Sequence, residues 1–267
     1  MSLSPHIYEE LDELAFVVEQ APQLHRGAWK TYRTNSQPFD AVCIDYGSGM
    51  GDYAVELAKR FPSTLYIGVE LELFCIAKSA HKAIEADIEN AIFVPANVPL
   101  SEMFAPAEVS CIYINHPTPH AHARDAAKRM THINALEMYR ALLSEQGSVR
   151  LKTDSQPFFD FSLTQFDIAG YEILWQTKDL RAKDSLDPST VYEDRLVAEG
   201  AKIFACEARP SKEPYKLVQT AKLSLFDYLP EDITGSEYIP TDMRKSVLLD
   251  LQAKRKIEEN RKQKRGR

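Results

Sequence analysis

The chain has 267 residues, of which 44% are hydrophobic and 27% are charged, with a formal net charge of −7, and this composition suits one or two globular domains with a sizeable core. It contains no run of about 18 uncharged apolar residues, and its first segment, MSLSPHIYEELDELAF, lacks the basic start, apolar centre and cleavage site of a signal peptide, so we expect no membrane span and a cytoplasmic location. The four cysteines form no CxxC pair, which argues against a disulfide framework and against a cysteine zinc site.

Apolar residues recur at helical spacing in residues 5–20 and predict an amphipathic helix, whereas residues 21–40 resemble a loop. From residue 41 onward, short apolar runs alternate with helical patterns. The predicted strands are residues 41–46, 64–70, 91–96, 109–115, 148–153, 171–177 and 202–208. The predicted helices are residues 52–61, 73–87, 132–144, 158–170 and 189–199. This alternation predicts an α/β fold with an about seven-stranded, mostly parallel sheet and helices on both faces.

The last part of the chain has a different composition. Four prolines interrupt residues 209–240, and a predicted helix containing Val247 and Leu251 continues into a basic end that could also bind a partner or a second copy. Residues 251–267 hold eight basic and two acidic residues, a local charge of +6, so the other 250 residues carry −13. Such a tail either attracts a polyanion or is a solvated terminus. We therefore divide the chain into an N-terminal helix and lead-in (1–40), a central domain (41–208) and a C-terminal extension (209–267).

A glycine-rich turn follows the first predicted strand and precedes a helix. It reads Asp45-Tyr-Gly47-Ser-Gly49-Met-Gly51, and glycines at such a turn let a ligand approach the backbone closely. Glu70 ends the next strand, where a carboxylate can accept hydrogen bonds from both ribose hydroxyls. The pattern indicates a nucleotide-binding site, although the glycines could also serve only the turn, with Asp45 capping the helix.

The spacing of these glycines helps to select the nucleotide. The sequence is GxGxG, not the dinucleotide fingerprint GxGxxG, and the preceding Asp45 would repel a pyrophosphate. The acid suits a ligand with a cationic centre, such as S-adenosylmethionine (SAM). Asn97 follows the third strand, where its amide could bind an adenine edge or simply turn the chain.

Several motifs, in the same order along the chain, resemble those of the bacterial tRNA (guanine-N7)-methyltransferases. The family patterns are G-x-W, the SAM loop, the ribose-binding strand end, G-x-x-x-x-K-T-D-N-x-x-L-F-E-Y-S and T-x-Y-E. The corresponding segments are residues 27–29, 45–51, 67–70, 147–163 and 190–193. The resemblance covers roughly residues 20–208. It implies a Rossmann-like class I methyltransferase fold, SAM as the cofactor, tRNA as the partner, and methylation at N7 of guanine 46 in the tRNA variable loop.

One segment departs from the family. The loop after the fourth strand reads close to N-F-S-D-P-W-P-K-K-R-H in the family, and here residues 115–125 read NHPTPHAHARD. Thr118 occupies the place of the aspartate usually regarded as catalytic, and His120 occupies the place of the tryptophan. His122 and Ala123 replace two lysines. The resemblance therefore implies family membership together with an altered base-binding loop.

The reaction itself does not need a general base, because guanine N7 has a free lone pair at neutral pH. It needs the base to be held in line with the methyl carbon, and a carboxylate near the base to stabilise the charge that develops on it. Asp154 remains for this purpose, with help from Glu193. We therefore predict catalytic roles for Thr118 and Asp154. From the resemblance we assign substrate binding to His122, Arg124, Asp154, Thr190 and Glu193.

Three histidines, His116, His120 and His122, fall in this loop and could chelate zinc, stack on a base or lie on a plain surface loop. No fourth ligand is evident, so no metal site is predicted. The nearby Lys128 and Arg129 could contact phosphates or form a solvated helix start.

Three functions stay open at this point. The leading one is SAM-dependent guanine-N7 methylation of tRNA by a monomer or homodimer. The alternatives are a catalytically impaired homologue that binds SAM and tRNA, and a methyltransferase with a different substrate.

Overall fold

The computed structural model describes residues 6–15, 17–34 and 37–229. Within them, seven strands form one sheet: β1 (Ala41–Tyr46), β2 (Thr64–Glu70), β3 (Ala91–Pro95), β4 (Val109–Asn115), β5 (Leu143–Thr153), β6 (Tyr171–Thr177) and β7 (Phe204–Pro210). The α-helices of the same residues are α1 (His6–Glu13), α2 (Asp52–Arg60), α3 (Leu73–Glu85), α4 (Leu100–Met103), α5 (Ile133–Leu142), α6 (Gln156–Ile168), α7 (Leu180–Lys183) and α8 (Val191–Ala198). In this part of the chain, no helix is both long and apolar enough to cross a membrane.

The strands lie in the order β3-β2-β1-β4-β5-β7-β6. The pairs among β1 to β5 are parallel, and β7 is antiparallel to both β5 and β6. The predicted mostly parallel, seven-stranded sheet is thus confirmed. The chain moves from β1 outward to β3 and then returns to the other side of β1 with β4. This reversal creates a crevice at the carboxyl ends of β1 and β4, where ligands of open α/β sheets bind.

Alternating side chains of β1 belong to two hydrophobic cores, one on each face of the sheet. Val42 and Ile44 point to a core that contains residues of α5 and α6, whereas Cys43 points to a core that contains residues of α1, α2 and α3. Helices therefore cover both faces of the sheet, as the alternation of apolar runs predicts. Trp29, from the lead-in, is fully buried in the first core, so part of the segment before β1 belongs to the same packed body.

Two element boundaries differ from the prediction by five or more residues. The predicted helix over 5–20 ends at Glu13 in the structure, and Val18 instead forms a parallel bridge with Phe93 of β3. The open edge of β3 offers backbone hydrogen bonds that compete with continuation of the helix. β5 begins at Leu143, inside the helix predicted for 132–144, because Leu143 pairs with Val109 before a register irregularity in the β4–β5 ladder.

The first part of the C-terminal extension packs on the central domain. Residues 225–228 form a 3₁₀ turn against α6, Leu225 is fully buried, and its N–H donates to the Ala121 carbonyl at 2.9 Å. Phe226 lies against the His122 ring, with centroids 5.7 Å apart. The extension therefore contacts the loop that departs from the family pattern. The predicted basic tail, residues 251–267, and the predicted helix before it lie outside the described residues.

Candidate active site at the β1–β4 crevice

The turn between β1 and α2 depends on its glycines. Gly47, Gly49 and Gly51 all have positive φ angles (78°, 53° and 73°), a backbone region that residues with a Cβ rarely adopt. At Gly51 a Cβ would also lie 2.6 Å from the Cβ of Ser79 on α3. These three residues bring the backbone to the carboxyl end of β1 without side chains in the way.

Asp45, near the end of β1, is the most strongly perturbed acid of this turn. It is 1% exposed, its Oδ1 accepts a hydrogen bond from Asn115 Nδ2 at 3.0 Å, and Oδ2 has no hydrogen-bond partner in the structure. Burial raises the pKa of Asp45 to about 7, although the Asn115 hydrogen bond and the charge of Lys152 oppose the shift. The Oδ1 atom of Asn115 is also buried without a partner. Two unsatisfied acceptors at one place fit a cationic or N–H-rich ligand group.

Glu70, at the end of β2, reaches back to the glycine turn. Its Oε2 accepts from the Gly49 N–H at 2.8 Å, and its Oε1 accepts from the N–H groups of Leu71 and Glu72 at 2.6 and 3.1 Å. These bonds orient the carboxylate, and Oε2, which accepts only one of them, keeps acceptor capacity for a ligand hydroxyl.

Two cavities lie at the carboxyl end of the sheet. The first has a volume of about 520 Å³ and is lined by Asp45, by the glycine turn and by residues of α8. The second, of about 320 Å³, is lined by Asn97 and by apolar residues that include Leu71 and Ile76. Such volumes suit a small-molecule site. Of the predicted cofactor residues, Asp45, Gly47 and Gly49 line the first cavity and Asn97 lines the second, whereas Glu70 and Gly51 line neither. This arrangement fits SAM, which has cationic groups at one end and an adenine at the other.

The loop after β4 does not place Thr118 in the first cavity. Thr118 is exposed and is absent from the residues that line either cavity. Pro117 and Pro119 on each side of it are buried. The catalytic assignment of Thr118 stays a prediction.

The Arg129 side chain is buried against this loop, so the phosphate contact that the sequence suggests for it is wrong. It is 1% exposed, its guanidinium donates to the carbonyls of Pro119 and His120 at distances from 2.7 to 3.2 Å, and it lies 4.3 Å from the ring centroid of Phe161. A buried guanidinium that satisfies loop carbonyls has a structural role. By contrast, the Lys128 side chain is 65% exposed and pairs with Asp125 at 2.8 Å.

Residues of the T-x-Y-E segment enter the site from α8. Thr190 caps this helix by accepting the Glu193 N–H at 3.0 Å, and it lines the first cavity. The Glu193 carboxylate is fully buried: Oε1 is bonded to Arg181, and Oε2 lies 2.9 Å from Lys152 Nζ and 3.1 Å from His116 Nε2. These partners lower the pKa of Glu193 to about 2, against the opposing effect of its burial.

The contact of the Glu193 carboxylate with the base stays a prediction, and the burial of this side chain disfavours it. Both oxygens are engaged by cations and no part of the side chain is exposed, so direct contact would require breaking a buried ion pair. Asp154, at the end of β5, is 11% exposed and lies 3.6 Å from His116. It is the better placed of the two carboxylates to receive a ligand.

The two remaining predicted substrate residues lie on the surface. His122 is exposed and leans on Phe226, and the Arg124 side chain is 82% exposed, 3.5 Å from Asp125. Neither residue lines the first cavity, so contact between them and a substrate would involve a molecule that extends beyond it.

Sequence reasoning gave no role to Lys152 and Arg181, and it did not distinguish His116 from the other two loop histidines. His116 lines the first cavity between Asp154 and Glu193, and Lys152 and Arg181 neutralise Glu193. Lys152 belongs to the K-T-D segment, which could have drawn attention to it, but Arg181 belongs to no motif of the chain. The three loop histidines do not converge, and no group of His, Cys, Asp or Glu among the described residues is arranged to hold a metal ion.

The strand order, the glycine turn after β1 and the acid at the end of β2 are those of a class I SAM-dependent methyltransferase. Solved structures agree with this fold. One described as an antibiotic-related methyltransferase has a TM-score of 0.50 and 20% identity, covering 64% of this chain and 88% of its own. The 16S rRNA methyltransferase KamB also has a TM-score of 0.50, with 16% identity over 65% of this chain and 89% of its own.

Sequence comparisons identify the family within the SAM-dependent methyltransferases. A family model described as "Putative methyltransferase" matches residues 40–206. The tRNA (guanine-N7)-methyltransferase of Alkaliphilus oremlandii (strain OhILAs) is 36% identical over 191 residues, which are 71% of this chain and 89% of the relative. That of Oceanobacillus iheyensis is 32% identical over 206 residues, 76% of this chain and 95% of the relative. The chain therefore belongs to the tRNA (guanine-N7)-methyltransferase family, and SAM is its cofactor.

Proposed function

We propose that this protein transfers a methyl group from SAM to N7 of a guanine in tRNA, and that the target is guanine 46 of the variable loop. The proposal rests on two consecutive residues, Asn115 and His116, which contact the cofactor residue Asp45 and the residues predicted to bind the base, respectively. Asn115 bonds to Asp45 of the cofactor crevice, and the next residue, His116, bonds to Glu193 and lies beside Asp154. A methyl donor and a base held by these two groups of residues would share one cavity.

On the cofactor side, SAM supplies an electrophilic methyl group. Asp45 and Asn115 present acceptors to its cationic end, Glu70 accepts from the ribose hydroxyls, and Asn97 lies where an adenine edge would be bound. Asp45 acts here in its ionised form, since a neutral carboxyl would neither attract the ammonium nor compensate the sulfonium charge.

On the base side, Asp154 accepts hydrogen bonds from the N1–H and the exocyclic amine of guanine. The bond strengthens as methylation makes the base cationic, because a carboxylate stabilises developing positive charge. N7 attacks with its own lone pair, so the protein removes no proton before transfer. Positioning of the base accounts for much of the catalysis, and in well-oriented reactions such positioning is worth about 7–11 kcal/mol.

Thr190, Val191 and Tyr192 line the first cavity together with His116, the neighbour of Asp154. Tyr192 is 45% exposed and Val191 is 73% exposed, so apolar surface is available at the cavity edge. An aromatic ring at this edge suits a base that has left its stack. Arg124 and His122 would contact the RNA outside the cavity. The substrate places the reaction in the cytoplasm.

A second candidate is a homologue that binds SAM and tRNA without efficient transfer. The neutral, exposed Thr118 favours it, because this position supplies no charge to the site.

One assay separates these functions. The purified protein is incubated with methyl-labelled SAM and unmodified tRNA, and the nucleosides are analysed by mass spectrometry. We expect 7-methylguanosine in wild-type tRNA and none in tRNA with adenine at position 46. SAM binding without methylated guanosine would support the second candidate, and label in another molecule would refute tRNA as the substrate.

A further inference from the structure

His116 is a buried ionisable residue that the methyl-transfer chemistry above does not use. Its side chain is 4% exposed and lines the cavity that Asp45 also lines. The residue has a φ of 48°, a left-handed conformation that is uncommon for a residue with a Cβ. Its N–H donates to the Lys152 carbonyl at 2.8 Å, which ties the loop to β5. Backbone conformations of this kind persist where the surroundings enforce them, and they cluster at functional sites.

The two ring nitrogens of His116 face two different carboxylates. Nε2 lies 3.1 Å from Glu193 Oε2, and Nδ1 lies 3.6 Å from Asp154 Oδ1. An ionised carboxylate only accepts hydrogen bonds, whereas a neutral imidazole has a single N–H. A neutral ring would therefore direct a lone pair at one of the two carboxylates. Only the doubly protonated imidazolium presents an N–H to both.

The charges around His116 indicate that its positive charge balances the negative charge of Asp154. Glu193, on α8, pairs with Lys152 on β5 and Arg181 on α7. Asp187 shares both of these cations and also pairs with Arg150, so the two carboxylates have three cations between them. The His116 charge is therefore not needed to balance Glu193.

Two further elements face the ring. The Tyr192 ring of α8 lies 5.7 Å away between centroids, and the guanidinium of Arg195 lies 5.1 Å from that tyrosine. Behind Asn115 is Asp45 of β1. Burial disfavours the charged form of His116, but the Glu193 hydrogen bond and the charges of Asp154 and Glu193 together raise its pKa above the usual 6.5. Nδ1, 3.6 Å from Asp154, has no hydrogen-bond partner among the described residues, so its link to Asp154 is an ion pair.

We propose that His116 is a positioning residue: a buried imidazolium that bridges Asp154 and Glu193 and orients the Asp154 carboxylate toward the target base. The identity of that base rests on the proposed function. Glu193 then acts as the fixed anchor of the bridge, and Asp154 as its end that contacts the substrate. Loss of the His116 proton would leave two carboxylates around a neutral ring and would remove one of the charges that orient Asp154. Binding of SAM through Asp45 and Glu70 would not use this proton.

The first test is a pH profile of methyl transfer to tRNA between pH 6 and 9 at saturating SAM. For the wild type, we expect kcat/KM for tRNA to be level on the acid side and to fall about tenfold per pH unit above the pKa of His116. His116→Gln keeps a polar side chain of similar reach without the charge. It should lose about tenfold to a hundredfold in kcat/KM, the range for a small misplacement of reacting groups, and the alkaline fall should vanish. The Kd for SAM, measured by calorimetry, should stay within twofold.

His81→Gln is the matched control, because His81 also pairs with a glutamate, Glu10 at 2.9 Å, but on the surface of α3. It should retain the wild-type profile. An alkaline fall that persists in His116→Gln, or a loss of SAM binding by a folded His116→Gln protein, would overturn the proposal.

The second test does not require activity. The His116 ring is followed by NMR during a pH titration of the wild type and of Asp154→Asn. We expect a lower His116 pKa in Asp154→Asn, since one of its two carboxylate partners becomes neutral. An unchanged titration would refute the bridge. If the wild type does not methylate tRNA, the proposed function fails, while this titration still decides whether His116 and Asp154 are paired.

Discussion

Asp45 makes SAM binding depend on pH, and the dependence can be calculated from the structure. The carboxyl is 1% exposed and its pKa is raised to about 7 by burial. If its ionised form binds the cationic end of SAM, only the deprotonated protein binds tightly. At pH 6 about one tenth of the molecules are deprotonated, so the Kd for SAM should be about ten times its value at pH 8.

The assay is calorimetric titration of the protein with SAM at several pH values in buffers of different ionisation enthalpy. Below pH 7 we expect weakening by up to tenfold per pH unit and release of close to one proton on binding. Asp45→Asn should bind as weakly at pH 8 as the wild type does at low pH, and it should show no pH dependence. Glu56→Gln, a half-exposed acid on α2, is the control and should behave as the wild type. A constant Kd from pH 6 to 8, or a slope retained in Asp45→Asn, would refute the reasoning.

The same group predicts how the stability of the ligand-free protein varies with pH. A pKa raised from 3.8 to about 7 means that the folded protein keeps a proton that the unfolded chain has lost between these values. The free energy of unfolding therefore falls as pH rises through this window and levels off above it, by about 4 kcal/mol at 1.36 kcal/mol per pKa unit. Asp45→Asn lacks this effect, so its stability relative to the wild type should increase with pH in urea denaturation. A constant difference between the two proteins from pH 4 to 8 would contradict the raised pKa.

Three further predictions concern the loop and the tail. Arg129→Met should lower the free energy of unfolding by about 2–4 kcal/mol, because it leaves buried loop carbonyls unsatisfied. The control Lys128→Met, at an exposed side chain, should change this free energy by less than about 0.5 kcal/mol. Urea denaturation measures both variants, and equal effects would contradict the structural role of Arg129. Thr118→Asp restores the carboxylate that the family has at this position and should raise kcat on tRNA, while Thr118→Asn, of the same size without charge, should not. A lower rate for Thr118→Asp would count against the assignment of this position. Deletion of residues 251–267 should weaken tRNA binding and reduce the dependence of log Kd on log salt, since fewer phosphates would be neutralised; an unchanged slope in filter-binding measurements would exclude the tail from tRNA recognition.

Local pattern was sufficient for the elements that build the cofactor crevice. Strands such as β1 and β2 are short apolar runs bounded by turn residues, and the glycine turn needs a backbone conformation that few other residues accept. Both features are properties of neighbouring residues, so they can be recognised without knowledge of distant contacts. The helix predicted over 5–20 failed at its second half because its competitor, the edge of β3, lies more than 70 residues away in the chain.

For the residues predicted to bind the base, local sequence pattern was not sufficient. The sequence identified Asp154, Thr190 and Glu193 through motifs, but it could not show that Glu193 is enclosed by cations or that Arg129 faces inward. His116 was one of three similar histidines in a polar loop. Its distinction arises only when β4, β5 and α8 converge.

By itself, then, the sequence determined the order of strands and helices, the position of the glycine turn and the family to which the chain belongs, because these depend on local periodicity and on motifs. The tertiary structure decided which charged side chains are buried, and which pairs of them lie within hydrogen-bonding distance. The physical reason is that burial and charge pairing depend on segments brought together from distant parts of the chain. His116, Asp154 and Glu193 lie up to 77 positions apart, and they become one site only after folding.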